Sequence, residues 1–192
     1  MTDEAQETPY FLFVGRMEKL KGLQTLIPIF LKHQKAELLI AGSGSYEPQL
    51  RRLAVGNGNV RFVGYLSGPQ LEALYRRAVA VIVPSLCFES FSLVVIEAFR
   101  QQTPVVVRNL GGMPELIQES GAGFIYNTDE ELVAAMELLL INSSLRTEMG
   151  HRGYQAYLGL WTPEKHLQKY LDFIHNIQRQ TTSYVHLEPA SP

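Results

Sequence analysis

The chain has 192 residues, of which 46% are hydrophobic and 19% charged, the composition of an ordinary globular protein. Its net charge of -2 excludes the broad positive field of a nucleic-acid or anionic-membrane binder. The single cysteine, Cys87, excludes an internal disulfide and a cysteine-ligated zinc cluster and fits a reducing cytoplasm, and no apolar run approaches the ~20 residues of a membrane span.

Strand-like apolar runs alternate with helical patterns along the chain. The predicted strands are residues 10–15, 37–41, 60–63, 79–84, 104–108 and 123–126. The predicted helices are residues 22–33, 46–55, 69–78, 92–101, 113–119, 129–141, 143–157 and 163–178. This alternation predicts an α/β fold with a single Rossmann-like domain over residues 10–180, in which helices cover both faces of a parallel sheet of about six strands. Residues 1–9 are expected to form a flexible lead-in and residues 181–192 a flexible tail.

Two basic residues follow the first predicted strand. Arg16 and Lys21 lie between Gly15 and Gly22, in a loop at the carboxyl end of that strand, where open parallel sheets bind ligands. Arginine offers planar, multi-donor contacts to phosphate, and lysine offers a point charge. The pair indicates a diphosphate site, with solvated loop charges as the alternative.

Glycines follow the second predicted strand and end the third. Gly42 and Gly44 either let the backbone approach a ligand or only turn it tightly, and they do not complete the three-glycine dinucleotide fingerprint. Gly64 precedes Tyr65, whose ring lies either beside a base or over the edge of the sheet.

The most informative stretch runs from Glu89 to Glu97. It follows a buried apolar strand, and Ser90 and Ser92 suit the N-cap of the next helix. Glu97 then lies inside that helix and Glu89 in the loop before it. Free N–H groups at a helix start attract phosphate. A carboxylate on each side of an anion site suits a ligand with phosphate and hydroxyl groups, such as a nucleotide sugar.

Three further patterns have weaker implications. Gly111 and Gly112 before Pro114 predict a loop into a helix, whose free N–H groups either face a sugar hydroxyl or only start the helix. None of the five histidines has a partner at metal-ligand spacing, so no metal site is expected. The last predicted helix has an apolar stripe, for which packing on its own domain is favoured over contact with another domain. The stripe consists of Leu167, Tyr170, Leu171, Ile174 and Ile177.

In their order and spacing, the motifs resemble one family. They are Gly15-Arg16 with Lys21-Gly22, Gly42 with Gly44, Phe62-Val63-Gly64, Pro84-Ser85, Glu89 with Glu97, Pro104-Val105-Val106, and Gly111-Gly112 with Pro114-Glu115. Over residues 10–178 the chain resembles the nucleotide-sugar-binding, C-terminal half of GT-B retaining glycosyltransferases, in the group called family 4 or glycosyltransferases group 1.

The resemblance implies a role for each matched position. Arg16 and Lys21 would hold the diphosphate, and Glu89 would contact hydroxyls of the donor sugar, which makes these three the candidate catalytic residues. Glu97 would bind the ribose hydroxyls. The other candidate binding residues are Gly15, Gly42, Gly44, Gly64, Tyr65, Ser90, Phe91, Ser92 and Leu93. Backbone N–H groups of residues 91–93 would meet the distal phosphate, and residues 64–65 would flank the base. The donor would be an NDP-sugar substrate, with no true cofactor and no metal.

The chain departs from the family pattern at two positions that are commonly glycine. Ser92 brings a Cβ to the point where phosphate approaches the backbone. Gln102 stands at the end of a helix, where a left-handed cap would be strained with a side chain, so a different helix end is expected.

A larger departure is that the sequence matches only one of the two domains that form a GT-B active site. The resemblance therefore implies an N-terminal acceptor domain as partner, in the same full-length chain or as a separate subunit, and little activity without it. The implied reaction is retaining hexosyl transfer to an acceptor hydroxyl in glycan biosynthesis. The alternative is a non-catalytic nucleotide-sugar-binding or regulatory module. The expected location is cytoplasmic, with peripheral membrane attachment through the other domain as a further option.

Overall fold

The computed structural model describes residues 8–56 and 58–185, with side chains described as far as residue 178. One sheet contains all the strands in this part of the chain, in the spatial order β3-β2-β1-β4-β5-β6, and every neighbouring pair is parallel. The strands are β1 (Tyr10–Val14), β2 (Glu37–Ala41), β3 (Val60–Gly64), β4 (Ala80–Val83), β5 (Val105–Arg108) and β6 (Gly123–Tyr126). The predicted six-stranded parallel sheet is confirmed.

Helices follow the strands in the predicted alternation. They are α1 (Leu23–Lys32), α2 (Glu47–Leu53), α3 (Gly68–Arg77), α4 (Leu93–Arg100), α5 (Met113–Ser120), α6 (Asp129–Ile141), α7 (Ser143–Ala156) and α8 (Pro163–Val185). The sequence did not predict the short 3-10 turn Lys19–Lys21 or the π-helical turn Tyr157–Trp161. Helix α8 also continues through residues 181–185, which were expected to begin the tail. The rest of that tail and residues 1–7 of the predicted lead-in lie outside the described residues.

Helices cover both faces of the sheet because side chains alternate along each strand. Phe11 and Phe13 of β1 pack in one core with residues of α1, α2 and α6. Leu12, between them, packs in a second core with residues of α3, α4 and α5. Strands buried on both faces are uniformly apolar, as β4 is, with all four of its residues buried.

The strand order reverses between β1 and β4. The chain runs outward from β1 to β2 and β3 and then returns to place β4 on the other side of β1. The loops after β1 and β4 therefore leave in opposite directions and open a crevice at the carboxyl edge of the sheet, which is the usual ligand site of this topology. The Arg16–Lys21 loop and the Glu89 loop both lie there.

Most of the apolar stripe of α8 is exposed rather than buried on its own domain. Leu167, Tyr170 and Leu171 are 57%, 58% and 40% exposed, and Ile177 is 48% exposed. Only Ile174 among the stripe residues is half-buried. The favoured expectation that this stripe packs on its own domain was therefore wrong, because most of its side chains face outward.

Helix α4 ends in a left-handed residue despite the side chain of Gln102. Gln102 has φ 59°, the only positive φ at a non-glycine among the described residues. Its N–H donates to Phe99 O at 3.0 Å, and the N–H of Thr103 donates to Ala98 O at 2.9 Å, the bonding pattern of a Schellman motif. The different helix end expected from the sequence was wrong, because these two backbone bonds outweigh the strain at Gln102.

Candidate functional site

The loop after β1 is anchored by its backbone to the loop after β2. Gly15 N–H donates to Ala41 O at 3.0 Å, and the N–H of the buried Met17 donates to Ser43 O at 2.8 Å. A Cβ on Gly42 would lie 2.0 Å from Gly15 O, and one on Gly44 would lie 2.4 Å from Met17 O. Both glycines are thus required by the contact between the two loops.

Lys21 and Glu89 meet across the crevice between β1 and β4. Lys21 Nζ lies 2.7 Å from Glu89 Oε1, and the two side chains are 27% and 15% exposed. Ser85 Oγ donates to the same oxygen at 2.6 Å. Ser85 was not among the site residues predicted from the sequence, although a polar residue near the end of a parallel strand is a signal for a ligand site.

The Glu89 loop rests on the paired glycines of the loop after β5. Gly112 N–H donates to Glu89 O at 2.8 Å, so this group is not free to face a sugar. A Cβ on Gly111 would lie 2.7 Å from Glu89 O, and one on Gly112 would lie 2.5 Å from Ser90 O. The glycine pair therefore supports the loop that holds Glu89.

Lys21 and Glu89 line a small cavity of about 190 Å³. Ser92 also lines it, at the N-cap of α4, with a 3% exposed side chain that forms no capping hydrogen bond. Ser92 thus occupies the N-cap position that the sequence suggested, but its hydroxyl does not cap the helix. The first N–H groups of α4 still have no partner within the helix, and they add partial positive charge at this wall.

A larger cavity of about 500 Å³ adjoins the small one, and both are lined by Val14, Gly15 and Arg16. Gly42, Tyr65 and Glu97 also line the larger cavity. Arg16 is 74% exposed and pairs with Glu18 at 2.8 Å, so its guanidinium reaches the mouth of the crevice rather than its floor. Tyr65 is 75% exposed at the rim.

Glu97 is oriented by a residue that sequence analysis missed. Tyr75 of α3 donates its hydroxyl hydrogen to Glu97 Oε2 at 2.8 Å, and its side chain is 2% exposed. Burial, followed by the charge and the hydrogen bond of Glu97, raises the pKa of Tyr75 and keeps it a donor. The remaining lone pairs of the carboxylate are available for hydroxyl groups. No signal in the sequence connects two residues on separate helices in this way.

Some predicted binding residues lie beside the two cavities rather than in their walls. Gly64 supports the site through its carbonyl, which accepts a hydrogen bond from Gly42 N–H at 2.8 Å. Ser90 is exposed, and its carbonyl packs on Gly112. Phe91 and Leu93 are 47% and 69% exposed, so only their backbone groups are near the start of α4. The described residues contain no cluster of three or more potential metal-ligating side chains, and no described helix is long and apolar enough to cross a bilayer.

Comparison with known proteins agrees with this architecture. An uncharacterized glycosyltransferase of Methanocaldococcus jannaschii is 38% identical over 130 residues, which are 64% of this chain and 33% of that protein. The sucrose-phosphate synthase structure from Thermosynechococcus elongatus superposes with a TM-score of 0.76 at 26% identity, covering 93% of this chain and 46% of that one. HepE of Anabaena, in complex with UDP-glucose, has the same fold, with a TM-score of 0.80 at 17% identity, covering 88% of this chain and 49% of that one.

The chain thus spans between a third and a half of the length of these proteins. The sequence model of the family described as "Glycosyl transferases group 1" matches residues 2–156. Together with the fold and the motifs at its carboxyl edge, this match shows that the chain belongs to the glycosyl transferases group 1 family.

Proposed function

We propose that this chain is the donor-binding half of a retaining glycosyltransferase that moves a sugar from an NDP-sugar to an acceptor hydroxyl. The main support is one arrangement: two adjoining cavities at the β1/β4 crevice, with Lys21 and Glu89 in one and Glu97 in the other. UDP-glucose, which HepE binds in its crystal structure, consists of a base, a ribose, a diphosphate and a sugar. This order of groups matches the order of the candidate binding residues along the two cavities.

The diphosphate would lie at the junction of the two cavities. Arg16 lines both cavities, Lys21 lines the smaller, and the free N–H groups of α4 are close to Ser92. These groups supply positive charge where a leaving diphosphate gains negative charge. This set would act without a metal.

The larger cavity would hold the nucleoside. Glu97, which Tyr75 orients, would accept hydrogen bonds from the ribose hydroxyls. Tyr65 at the rim and the backbone of Gly64 would flank the base. About 500 Å³ falls within the range of small-molecule pockets.

Glu89 would contact the hydroxyls of the donor sugar. Its carboxylate already pairs with Lys21, so the arriving phosphate would compete for the ammonium and release part of the carboxylate for the sugar. This exchange makes Glu89 a donor-orienting group rather than an acid or a base.

The acceptor would bind to an N-terminal domain, in the same full-length chain or as a separate subunit. The exposed apolar residues of α8 provide a surface for such a domain, since contiguous apolar patches of this kind mark interaction sites. The complete enzyme would act in the cytoplasm, or at the membrane through that domain.

A second candidate is a non-catalytic module that binds nucleotide sugar. Its specific support is Ser92, whose side chain lines the small cavity at the start of α4 and occupies space where a phosphate would approach the backbone. A turnover assay with and without an N-terminal half separates the two candidates. Sugar transfer only in the mixture supports the enzyme, and binding without transfer in either case supports the module.

Calorimetric titration with a panel of nucleoside diphosphates and NDP-sugars tests the donor site. Lys21→Ala and Glu97→Ala should each weaken binding by roughly tenfold, since each removes a charge-assisted hydrogen bond. Lys19→Ala and Glu119→Ala are matched controls, because both residues are exposed and line neither cavity. No binding to any compound by the intact chain would refute the donor site.

A further inference from the structure

Arg108, at the end of β5, lies in neither cavity wall, yet it connects the two loops that carry the site. Its Nε donates to Pro84 O at 3.4 Å, in the loop after β4. Its Nη2 donates to Thr25 Oγ1 at 3.2 Å, in the first turn of α1. One planar guanidinium thus spans from the Glu89 side of the crevice to the Lys21 side.

Thr25 transmits this contact to the residue next to Lys21. The Thr25 hydroxyl accepts from Arg108 and donates to Gly22 O at 2.8 Å, and the N–H of Thr25 donates to the same carbonyl at 2.9 Å. Gly22 is left-handed, with φ 78°, and this angle links the orientation of its carbonyl to that of the Lys21–Gly22 peptide. The position of Lys21 is therefore tied to Arg108 through two hydrogen bonds in series.

The two loops are also in direct contact beside this bridge. A Cβ on Gly22 would lie 2.0 Å from Pro84 O, the same carbonyl to which Arg108 donates. Leu86 N–H donates to Leu20 O at 2.8 Å. A guanidinium at this point stabilises a close backbone approach, and a lysine ammonium would lack the fork that serves both acceptors.

Arg108 is itself held by its neighbour in the sheet. Tyr126 lies opposite it in the β5–β6 register, and the guanidinium carbon is 5.0 Å from the centre of that ring. A cation over an aromatic face is restrained and only weakly hydrated. The side chain is thus a rigid support rather than a mobile surface charge.

We propose that Arg108 is a positioning residue that sets where the Lys21 ammonium lies relative to Glu89 and the bound diphosphate, a proposal that rests on the function proposed above. It acts through Thr25 and Gly22 on one side and through Pro84 on the other. It touches no part of the donor.

Four single variants and one double variant test this role by calorimetry with the tightest-binding nucleoside diphosphate of the panel. Arg108→Met and Thr25→Val should each weaken binding by about tenfold. Thr25→Ser should bind like the wild type, because serine keeps the hydroxyl that makes the contact. Arg108→Lys should resemble Arg108→Met. In the double variant with Lys21→Ala, Arg108→Met should add little further loss, since both changes remove the same interaction. Full additivity, or unchanged binding in Arg108→Met, would overturn the proposal.

A ligand-free measurement separates this proposal from the donor site itself. Acylation of lysine amines by acetic anhydride, followed by peptide mass spectrometry, reports the accessibility of Lys21 relative to exposed Lys19 in the same molecule. Lys21 should react several-fold faster in Arg108→Met and Thr25→Val than in the wild type. Arg51→Met is the matched control, because Arg51 also lies over an aromatic ring, that of Phe62, but lines neither cavity. It should leave the ratio unchanged.

An unchanged ratio in Thr25→Val, with thermal unfolding near that of the wild type, would refute the role of Arg108 even if nucleotides bind. Conversely, a raised ratio together with no nucleotide binding by the wild type would refute the donor site and leave the positioning of Lys21 by Arg108 supported. Should Arg108→Met fail to fold, the Thr25→Val and Thr25→Ser pair decides the question alone.

Discussion

Tyr75 and Glu97 form a hydrogen-bonded pair between α3 and α4, with 2.8 Å between the phenolic oxygen and Oε2. The tyrosine is buried and the glutamate is exposed. The tyrosine therefore holds the carboxylate from the interior, while the carboxylate faces the larger cavity. Because burial and the carboxylate raise the pKa of Tyr75, the phenol remains protonated at neutral and mildly alkaline pH.

Removing this hydroxyl should weaken nucleotide binding with a small effect on folding. We expect Tyr75→Phe to reduce affinity for a nucleoside diphosphate by about fivefold, the equivalent of roughly 1 kcal/mol for one hydrogen bond. Tyr10→Phe is the matched control, because Tyr10 also donates its hydroxyl to α3, to Leu74 O at 2.9 Å, and lines neither cavity. Equal losses in the two variants, measured by calorimetry, would contradict the role of Tyr75.

Neutralising Glu89 should have opposite effects on the two parts of the ligand. In Glu89→Gln the Lys21 ammonium loses its carboxylate partner and is freer to bind phosphate, so the affinity for a nucleoside diphosphate should rise by roughly fivefold. The added affinity that the sugar brings should fall, because the amide is a weaker acceptor for its hydroxyls. Titration with NDP and NDP-sugar gives both quantities, and a sugar contribution equal to that of the wild type would argue against Glu89 as the sugar contact.

Gly22 and Gly64 have nearly the same φ, 78° and 77°, but different surroundings. An alanine at either position suffers the left-handed strain of about 1–2 kcal/mol. A Cβ at Gly22 also meets Pro84 O at 2.0 Å, whereas one at Gly64 meets no atom within 4 Å. Gly22→Ala should therefore be less stable than Gly64→Ala by roughly 1–3 kcal/mol in denaturant unfolding. Equal stabilities would show that the two loops separate at little cost.

Gln102→Gly should stabilise the domain. The left-handed residue at the end of α4 carries an exposed side chain, and glycine removes the strain while the Schellman hydrogen bonds stay. After the extra entropy of glycine in the unfolded chain is subtracted, a gain of about 0.5–1 kcal/mol is expected. Gln102→Ala keeps the Cβ and should show no such gain. A loss of stability in Gln102→Gly would mean that the side chain has a stabilising contact.

The strands and the location of the crevice were readable from the sequence because they depend on local patterns. Apolar runs of four to six residues define buried strands, and glycines and charges at their ends mark the carboxyl edge. The loop residues Lys21 and Glu89 were identified in this way, although their 2.7 Å contact was not.

The supporting residues were not predictable because their roles depend on contacts distant in the chain. Tyr75 reaches Glu97 across 22 positions, and Arg108 reaches Thr25 across 83. In the sequence each has the pattern of an ordinary helix or strand residue. The need for glycine at positions 111 and 112 could not be predicted either. It arises from close contact with the backbone of Glu89 and Ser90, which only the folded chain brings near.

The most direct test of the donor site is a crystal structure of the chain with the tightest-binding nucleoside diphosphate. We expect the base and ribose in the larger cavity, with a ribose hydroxyl hydrogen-bonded to Glu97. The distal phosphate should lie at hydrogen-bond distance from Lys21 Nζ and from the first N–H groups of α4. A nucleotide bound elsewhere on the domain, or phosphates that leave the contact between Lys21 and Glu89 undisturbed and avoid the start of α4, would contradict the proposed donor site.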